Sequence, residues 1–327
     1  MDQTIALVSS GILREEFVEN LKNRKIDQKF FYMGDGARAY YESARQKKKA
    51  NVNSYLPFEA FANFLRDQLS KEAVNAFVSL GCGNAEQEAA VMRILSQEGY
   101  RFAFFGIDSS AEILKDAEAQ LASLPPEIRK TLILADLTTS GFREKINDLV
   151  RSYDRRVFAF LGSTFGNFNQ TNITDSFYNL LSSGDLLWFD VATRPGVTAL
   201  EDFNLFNRYS AYLKIDDASH FWLAPLLGLG VDRGSGVMRL SSDKEPSVGA
   251  MKFRFSFVFS RKVVARIGED VLHFLPGEKI DTQTIRVYHP ETLINFFQEH
   301  SFSLVKSQIE RLSPEISKGQ FLFKKSA

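Results

Sequence analysis

The sequence predicts an α/β protein: a parallel, doubly wound sheet joined to a second α+β domain. Three observations carry this. Apolar runs that suit buried strands alternate with helical stripes between residues 74 and 194. The first of those strands, Phe77-Val78-Ser79-Leu80, runs into Gly81-Cys82-Gly83 and then into a helical stripe. After residue 194 the alternation stops, and Phe253, Phe255, Phe257 and Phe259 mark one face of a strand.

The first 66 residues do not open on a Rossmann-type unit. Gly11 to Leu21 has the spacing of an amphipathic helix, and Lys22 to Gln28 is polar. An aromatic cluster, Phe30-Phe31-Tyr32, then ends in a Gly34-Asp35-Gly36 turn. Arg45 to Lys49 holds four basic residues in five, the pattern of a solvated helix end or loop. Tyr55 to Leu69 is expected as a helix with Pro57 in its first turn.

From residue 74 the elements come in regular order. Ala89, Val91, Met92, Ile94 and Leu95 form the stripe of the helix after the glycine loop. Phe102 to Ile107 is a second strand, with Asp108 at its carboxyl end. Ile113, Leu114, Ala117 and Leu121 make the next helix, stopped by Pro125-Pro126. Thr131 to Ala135 is a third strand, ending at Asp136, and Phe142 to Val150 is a short helix. Val157 to Leu161 is a fourth strand and runs into Gly162-Ser163-Thr164-Phe165-Gly166-Asn167. A helix through Ile173, Phe177, Leu180 and Leu181 precedes a fifth strand, Leu186 to Val191.

The four phenylalanines of residues 253–259 are read as core of an inserted domain rather than as substrate contacts. Val263 to Ile267 and Val271 to Leu275 flank a hairpin turn at Gly268-Glu269-Asp270. The α/β pattern then resumes with a strand over Thr284 to Tyr288 and a helix over Pro290 to His300. A last hairpin pairs Leu304 to Ile309 with Gln320 to Lys324. The expected division is therefore residues 1–66 with 195–283 as one domain, and 67–194 with 284–327 as the sheet domain.

Composition narrows the function. Forty basic and forty acidic residues cancel, so no basic field is available to hold nucleic acid. Thirty phenylalanines favour aromatic packing or an aromatic-lined pocket. A single cysteine excludes an intramolecular disulfide and fits a reducing cytosol. That cysteine, Cys82, is read as a small filler of the glycine loop. No apolar run approaches membrane-spanning length and the start does not read as a signal peptide, so a cytoplasmic protein without a membrane partner is expected. The four histidines show no ligand spacing, and no metal is expected. The sequence does not specify an oligomeric state.

The strand ends carry the chemistry. A dinucleotide loop needs a third glycine three residues after the second, and here that position is Glu86. A carboxylate there repels a pyrophosphate. S-adenosylmethionine carries no phosphate and tolerates it, whereas the same loop also suits an ordinary strand-to-helix turn. Asp108 is placed to accept both ribose hydroxyls of an adenosine, and Asp136 to accept from an adenine amino group. Either aspartate also suits a helix N-cap. Asn167 would bring a side-chain amide beside the reacting centre, or it is a turn residue.

The stretch Phe160-Leu161-Gly162-Ser163-Thr164-Phe165-Gly166-Asn167-Phe168 resembles the signature of the histidine-specific, S-adenosylmethionine-dependent Nα-methyltransferases, which include the ergothioneine-pathway enzyme and fungal relatives. Phe30-Phe31-Tyr32 with Gly36, Leu80-Gly81-Cys82-Gly83, Asp108, Asp136 and Gly277-Glu278 extend the likeness over most of the chain. The resemblance implies a Rossmann-like class I methyltransferase sheet, with a second domain built from the N-terminal segment and an insertion after the fifth strand. It implies that Gly81, Gly83, Asp108, Asp136, Gly162 and Ser163 contact the cofactor, that Tyr32 lies near it, and that Asn167 anchors the substrate amine.

Two departures stand out. The family's acidic residue before the leucine of the glycine loop is Ser79 here. The family's imidazole-binding glutamate and serine correspond to Gln283 and Ile285, and its tyrosine pair before a proline is reduced to Tyr55-Leu56-Pro57. The reading is thus an S-adenosylmethionine-dependent N-methyltransferase for an amino acid or related small-molecule amine other than histidine. A catalytically silent cofactor-binding regulatory or partner protein is the alternative that Ser79 leaves open. A nicotinamide oxidoreductase is a third reading, against which Glu86 argues.

Overall fold

The computed structural model describes residues 3–326 except 35, 41–57, 139–140, 195, 197 and 215. The basic run Arg45 to Lys49 and the Tyr55-Leu56-Pro57 stretch lie outside the described residues. The chain forms two compact units: residues 1–8, 54–193 and 290–327 in the first, and residues 9–53 and 194–289 in the second.

The first unit is built on β1 (Gln3–Ala6), β2 (Val74–Leu80), β3 (Arg101–Asp108), β4 (Arg129–Leu134), β5 (Arg155–Phe160) and β6 (Leu186–Thr193). These strands run parallel in the order β1-β4-β3-β2-β5-β6. Two later strands, β12 (Phe302–Arg311) and β13 (Ser317–Lys325), extend the edge, with β13 antiparallel to β6 and β12 antiparallel to β13. The expected final hairpin is thus present. The four-residue β1 is an addition; a strand that short leaves no periodic signal.

The crossovers are α2 (Phe58–Leu65, entering β2), α3 (Glu86–Gln97), α4 (Ala111–Leu121), α5 (Phe142–Val150) and α6 (Gln170–Leu180). The helix expected over Tyr55 to Leu69 is described only from Phe58 and ends at Leu65, passing into one 3-10 turn. Helices on both faces explain why β2, β3 and β5 are apolar almost throughout, since such strands are buried on two sides. Phe77, Phe104 and Trp188 belong to one core cluster of this unit. Phe165, Phe189, Phe297 and Phe323 stack in another group, with Phe189 and Phe297 ring centroids 4.9 Å apart. Here the many phenylalanines are packing.

The sheet order sets where a ligand can bind. The chain leaves β2 toward β3 and β4 on one side, then returns to build β5 and β6 on the other. The carboxyl ends of β2 and β5 therefore flank the switch point, where open α/β sheets bind ligands.

The second unit contains α1 (Ser10–Lys22), a 3-10 turn over Gln28–Tyr32, α7 (Ala199–Tyr212), α8 (Asp216–Leu227), β7 (Gly236–Glu245), β8 (Ala250–Phe259), β9 (Val263–Ile267), β10 (Asp270–Phe274) and β11 (Lys279–Tyr288). α9 (Pro290–Glu299) lies in the first unit. β8 pairs antiparallel with both β7 and β11, and β9 with β10 in a separate hairpin. The strand expected over Thr284 to Tyr288 starts five residues earlier, at Lys279, and is antiparallel to β8. Periodicity does not name a strand's partner: β11 pairs with the phenylalanine strand. All four phenylalanines of that strand are buried. Phe255 lies against Trp222 of α8 with centroids 4.0 Å apart, and Phe253 against Tyr209 of α7 at 4.4 Å.

Candidate active site

Seven of the expected site residues lie in the first unit, at the carboxyl ends of four neighbouring parallel strands. Gly81 and Gly83 follow β2, Asp108 closes β3, Asp136 follows β4, and Gly162, Ser163 and Asn167 follow β5.

The glycine loop needs its glycines. Gly81 and Gly83 have φ of 69° and 55°, a left-handed conformation that costs little only without a Cβ. A Cβ on Gly83 would meet nothing within 4 Å, so the loop presents bare backbone to open space. Gly81 faces Thr164, whose methyl would lie 3.9 Å from an added Cβ. The loop after β5 is thus laid directly against the loop after β2.

Asp108 joins the second strand to this loop. Its Oδ2 accepts from the Gly83 N–H at 3.0 Å and its Oδ1 from the Ser110 N–H at 3.0 Å. Burial pushes the Asp108 carboxyl above the ordinary carboxylate range, and the N–H groups of Ser110, Gly83 and Ser109 oppose that rise. Helix capping falls instead to Ser110, whose hydroxyl accepts from Ile113 N. Asp136 is buried, and its Oδ1 accepts from both the N–H and the hydroxyl of Thr138 at 2.8 Å each. It shapes the turn after β4.

Three residues that the sequence reading did not single out complete the geometry. Asp190, inside β6, accepts from the Ser163 N–H at 2.8 Å. Lys318 of β13 donates to the Ser163 hydroxyl at 2.7 Å and lies 2.5 Å from Asp190 Oδ2. Both charged groups are almost fully buried. Together they pin Ser163 in the left-handed region at φ 61°, which sets the 3-10 turn over Thr164–Asn167 that carries Asn167. The signal available in the sequence was an aspartate inside an apolar strand. A buried carboxylate demands a partner, although periodicity does not say which strand supplies it.

The third residue is Glu88, in the first turn of α3. Its Oε1 accepts from the Ser79 hydroxyl at 2.6 Å, and both side chains are buried. Burial above all, with Asp190 and Asp108 adding to it, pushes the Glu88 carboxyl up to about 7. Cys82 is buried too, and burial raises its thiol well above the usual value, next to Asp108 and Glu88. It is a filler and no activated nucleophile.

Tyr32, Gln283 and Ile285 belong to the second unit. The Tyr32 hydroxyl accepts from Gln28 Nε2 at 2.8 Å, and its ring meets Tyr40 and Phe221. Phe30 and Phe31 are core residues of this unit, and Gly36 is obligatory there: an added Cβ would collide with the Phe31 carbonyl oxygen. Opposite β8, Gln283 pairs with Phe255 and Ile285 with Phe253. A β-bulge between Asp281 and Gln283 puts them on the phenylalanine face, and the Thr282 hydroxyl donates to Phe255 O at 3.1 Å inside it. Glu278 is used structurally: it accepts from Arg24 at 3.0 Å and from the Leu275 N–H at 2.7 Å.

These residues fit a ligand with an adenosine and no phosphate. Glu86 and Glu88 lie in the first helix turn after the glycine loop, where carboxylates disfavour a pyrophosphate, and the loop backbone at Gly83 borders open space. Among the described residues, no group of three or more potential metal ligands occurs, and no helix is long and apolar enough to cross a membrane.

A family comparison agrees. A model of the family described as histidine-specific, S-adenosylmethionine-dependent methyltransferase matches residues 13–188. No curated protein matches the chain. Solved structures similar to it include the CcbJ methyltransferase from Streptomyces caelestis, 10% identical, covering 84% of this chain and 100% of that one, with a TM-score of 0.41. Magnesium protoporphyrin IX methyltransferase from Synechocystis PCC 6803 is 10% identical, with 97% and 100% coverage and a TM-score of 0.42. CalS10, an amino pentose methyltransferase from Micromonospora echinaspora, is 14% identical, with 88% and 97% coverage and a TM-score of 0.39.

Proposed function

Because the chain belongs to the histidine-specific, S-adenosylmethionine-dependent methyltransferase family, we propose that it methylates the amine of an amino acid or related small molecule, and that histidine is not its preferred substrate. The bound cofactor supplies a methyl group already activated on a sulfonium. The protein's part is to align the two reactants and exclude water. Asp108, braced by Gly83 and Ser110, is assigned to the ribose hydroxyls. Asp136 is assigned to the adenine edge, Gly81, Gly83, Gly162 and Ser163 to backbone contacts around the cofactor, and Tyr32 to its neighbourhood. Asn167 is the candidate catalytic residue: its amide oxygen would accept from the substrate amine and aim the nitrogen lone pair, and the amine must be neutral when it attacks.

The observation that carries the substrate reading is the pair Gln283 and Ile285 on one strand face. A glutamate and a serine there would hold an imidazole through a charge and a hydroxyl. Gln283 brings no charge, and Ile285 replaces the hydroxyl with apolar bulk. A site built around a polar group rejects analogues lacking it, and a site that has lost those partners loses that selectivity. The buried bond between Ser79 and Glu88 keeps a carboxylate at the glycine loop, which supports cofactor binding; methyl transfer to an amine is what separates an enzyme from a silent binding protein.

Incubation with methyl-labelled cofactor and a mixture of amino acids, followed by mass spectrometry, tests this. The label is expected on an amine nitrogen. Label on oxygen or carbon, or no transfer to any amine, contradicts it.

A further inference from the structure

We propose that Glu88 is the carboxylate that holds the ammonium of the cofactor's amino-acid tail, in place of the acidic residue absent at Ser79. The inference deepens the cofactor reading and rests on it.

The strand position two residues before Gly81 lies at the sheet's ligand end but carries only a hydroxyl. Ser79 is completely buried, and a neutral hydroxyl cannot balance the charge of an ammonium. The hydroxyl is not idle. It donates to Glu88 Oε1 at 2.6 Å, reaching across the glycine loop to a residue nine positions later. The bond ties the buried carboxylate, in the first turn of α3, to the end of β2 that leads into the glycine loop.

Glu88 lacks a reason to be there as a purely structural group. It is 4% exposed. The charged groups that act on it are Asp108 after β3 and Asp190 in β6, both acidic, and no basic side chain offsets it among the described residues. Asp190 already has Lys318. Asp108 already has the loop N–H groups. The partners of Glu88 are the Ser79 hydroxyl and its own backbone N–H, both neutral. A buried carboxyl with only neutral partners keeps its proton until a cation arrives to hold the charged form. An ammonium is the cation that the cofactor brings to this end of the strand. The carboxylate has thus moved from strand to helix, and Ser79 has become the small group that makes room for it and orients it.

The test is calorimetric binding of two ligands to the full chain and to Glu88→Gln. S-adenosylhomocysteine carries the amino-acid tail. 5′-Methylthioadenosine carries the same adenosine and thioether without it. The Gln variant keeps the shape and an acceptor for Ser79 but loses the charge. The expected result is an S-adenosylhomocysteine Kd raised at least about tenfold, with the methylthioadenosine Kd within about twofold of the unmodified protein. Unchanged S-adenosylhomocysteine affinity overturns the proposal. So does equal loss of both ligands, which would make Glu88 a brace for the loop. If the unmodified protein binds neither ligand, the cofactor reading fails as a whole.

Discussion

Glu88 also leaves a signature that needs no ligand. Its folded-state carboxyl titrates at about 7 against an ordinary value of 4.5. The folded protein therefore holds this proton where the unfolded chain has released it. Stability from this group is complete below about pH 4.5 and is lost as pH rises to about 7, a loss of order 3 kcal/mol. Urea unfolding of the protein and of Glu88→Gln should diverge over that window, the variant gaining on the parent as pH rises. A difference that is flat between about pH 4.5 and 7 would show that the carboxyl is not desolvated. At Asn167 the expected outcome is kinetic. Asn167→Ala should lower kcat by about 100-fold through lost alignment, while S-adenosylhomocysteine affinity stays within about twofold. Normal turnover would leave Asn167 as a turn residue only.

Among the elements, β8 and β11 carry the second unit. Phe255 is fully buried between the sheet and Trp222, so Phe255→Ala should cost about 3–5 kcal/mol in denaturant unfolding. Native stability together with an altered substrate preference would instead place Phe255 in the substrate's path. This pair of strands also marks what the sequence reveals. The alternation of Phe253 to Phe259 reads directly as one buried face, because period two is written in the residues. The bulge at Thr282 is not, because one extra residue in a strand looks like any other, yet it decides which face Gln283 and Ile285 occupy. The helices α7 and α8 differ in what they show beforehand. The Thr198–Glu201 capping box is a legible start for α7. Pro225 inside α8 argues against a helix, and burial of Trp222, Leu223, Leu226 and their neighbours overrides it.

Across the whole molecule, the glycine loop, Asp108, Asp136 and the loop after β5 were legible because parallel strands deliver their carboxyl ends to one edge, whatever the sequence distance between them. What stayed hidden depends on register between distant strands: Lys318 meeting Ser163 across 155 residues and also reaching Asp190, or Ser79 meeting Glu88 across a loop. Substrate choice is the property left to decide, and the proposal turns on Gln283 and Ile285. The direct measurement is kcat/KM for methyl transfer across a panel of amino acids that includes histidine. Transfer to an amino acid or amine other than histidine is expected, with histidine at least about tenfold poorer. Histidine emerging with the highest kcat/KM would contradict this assignment.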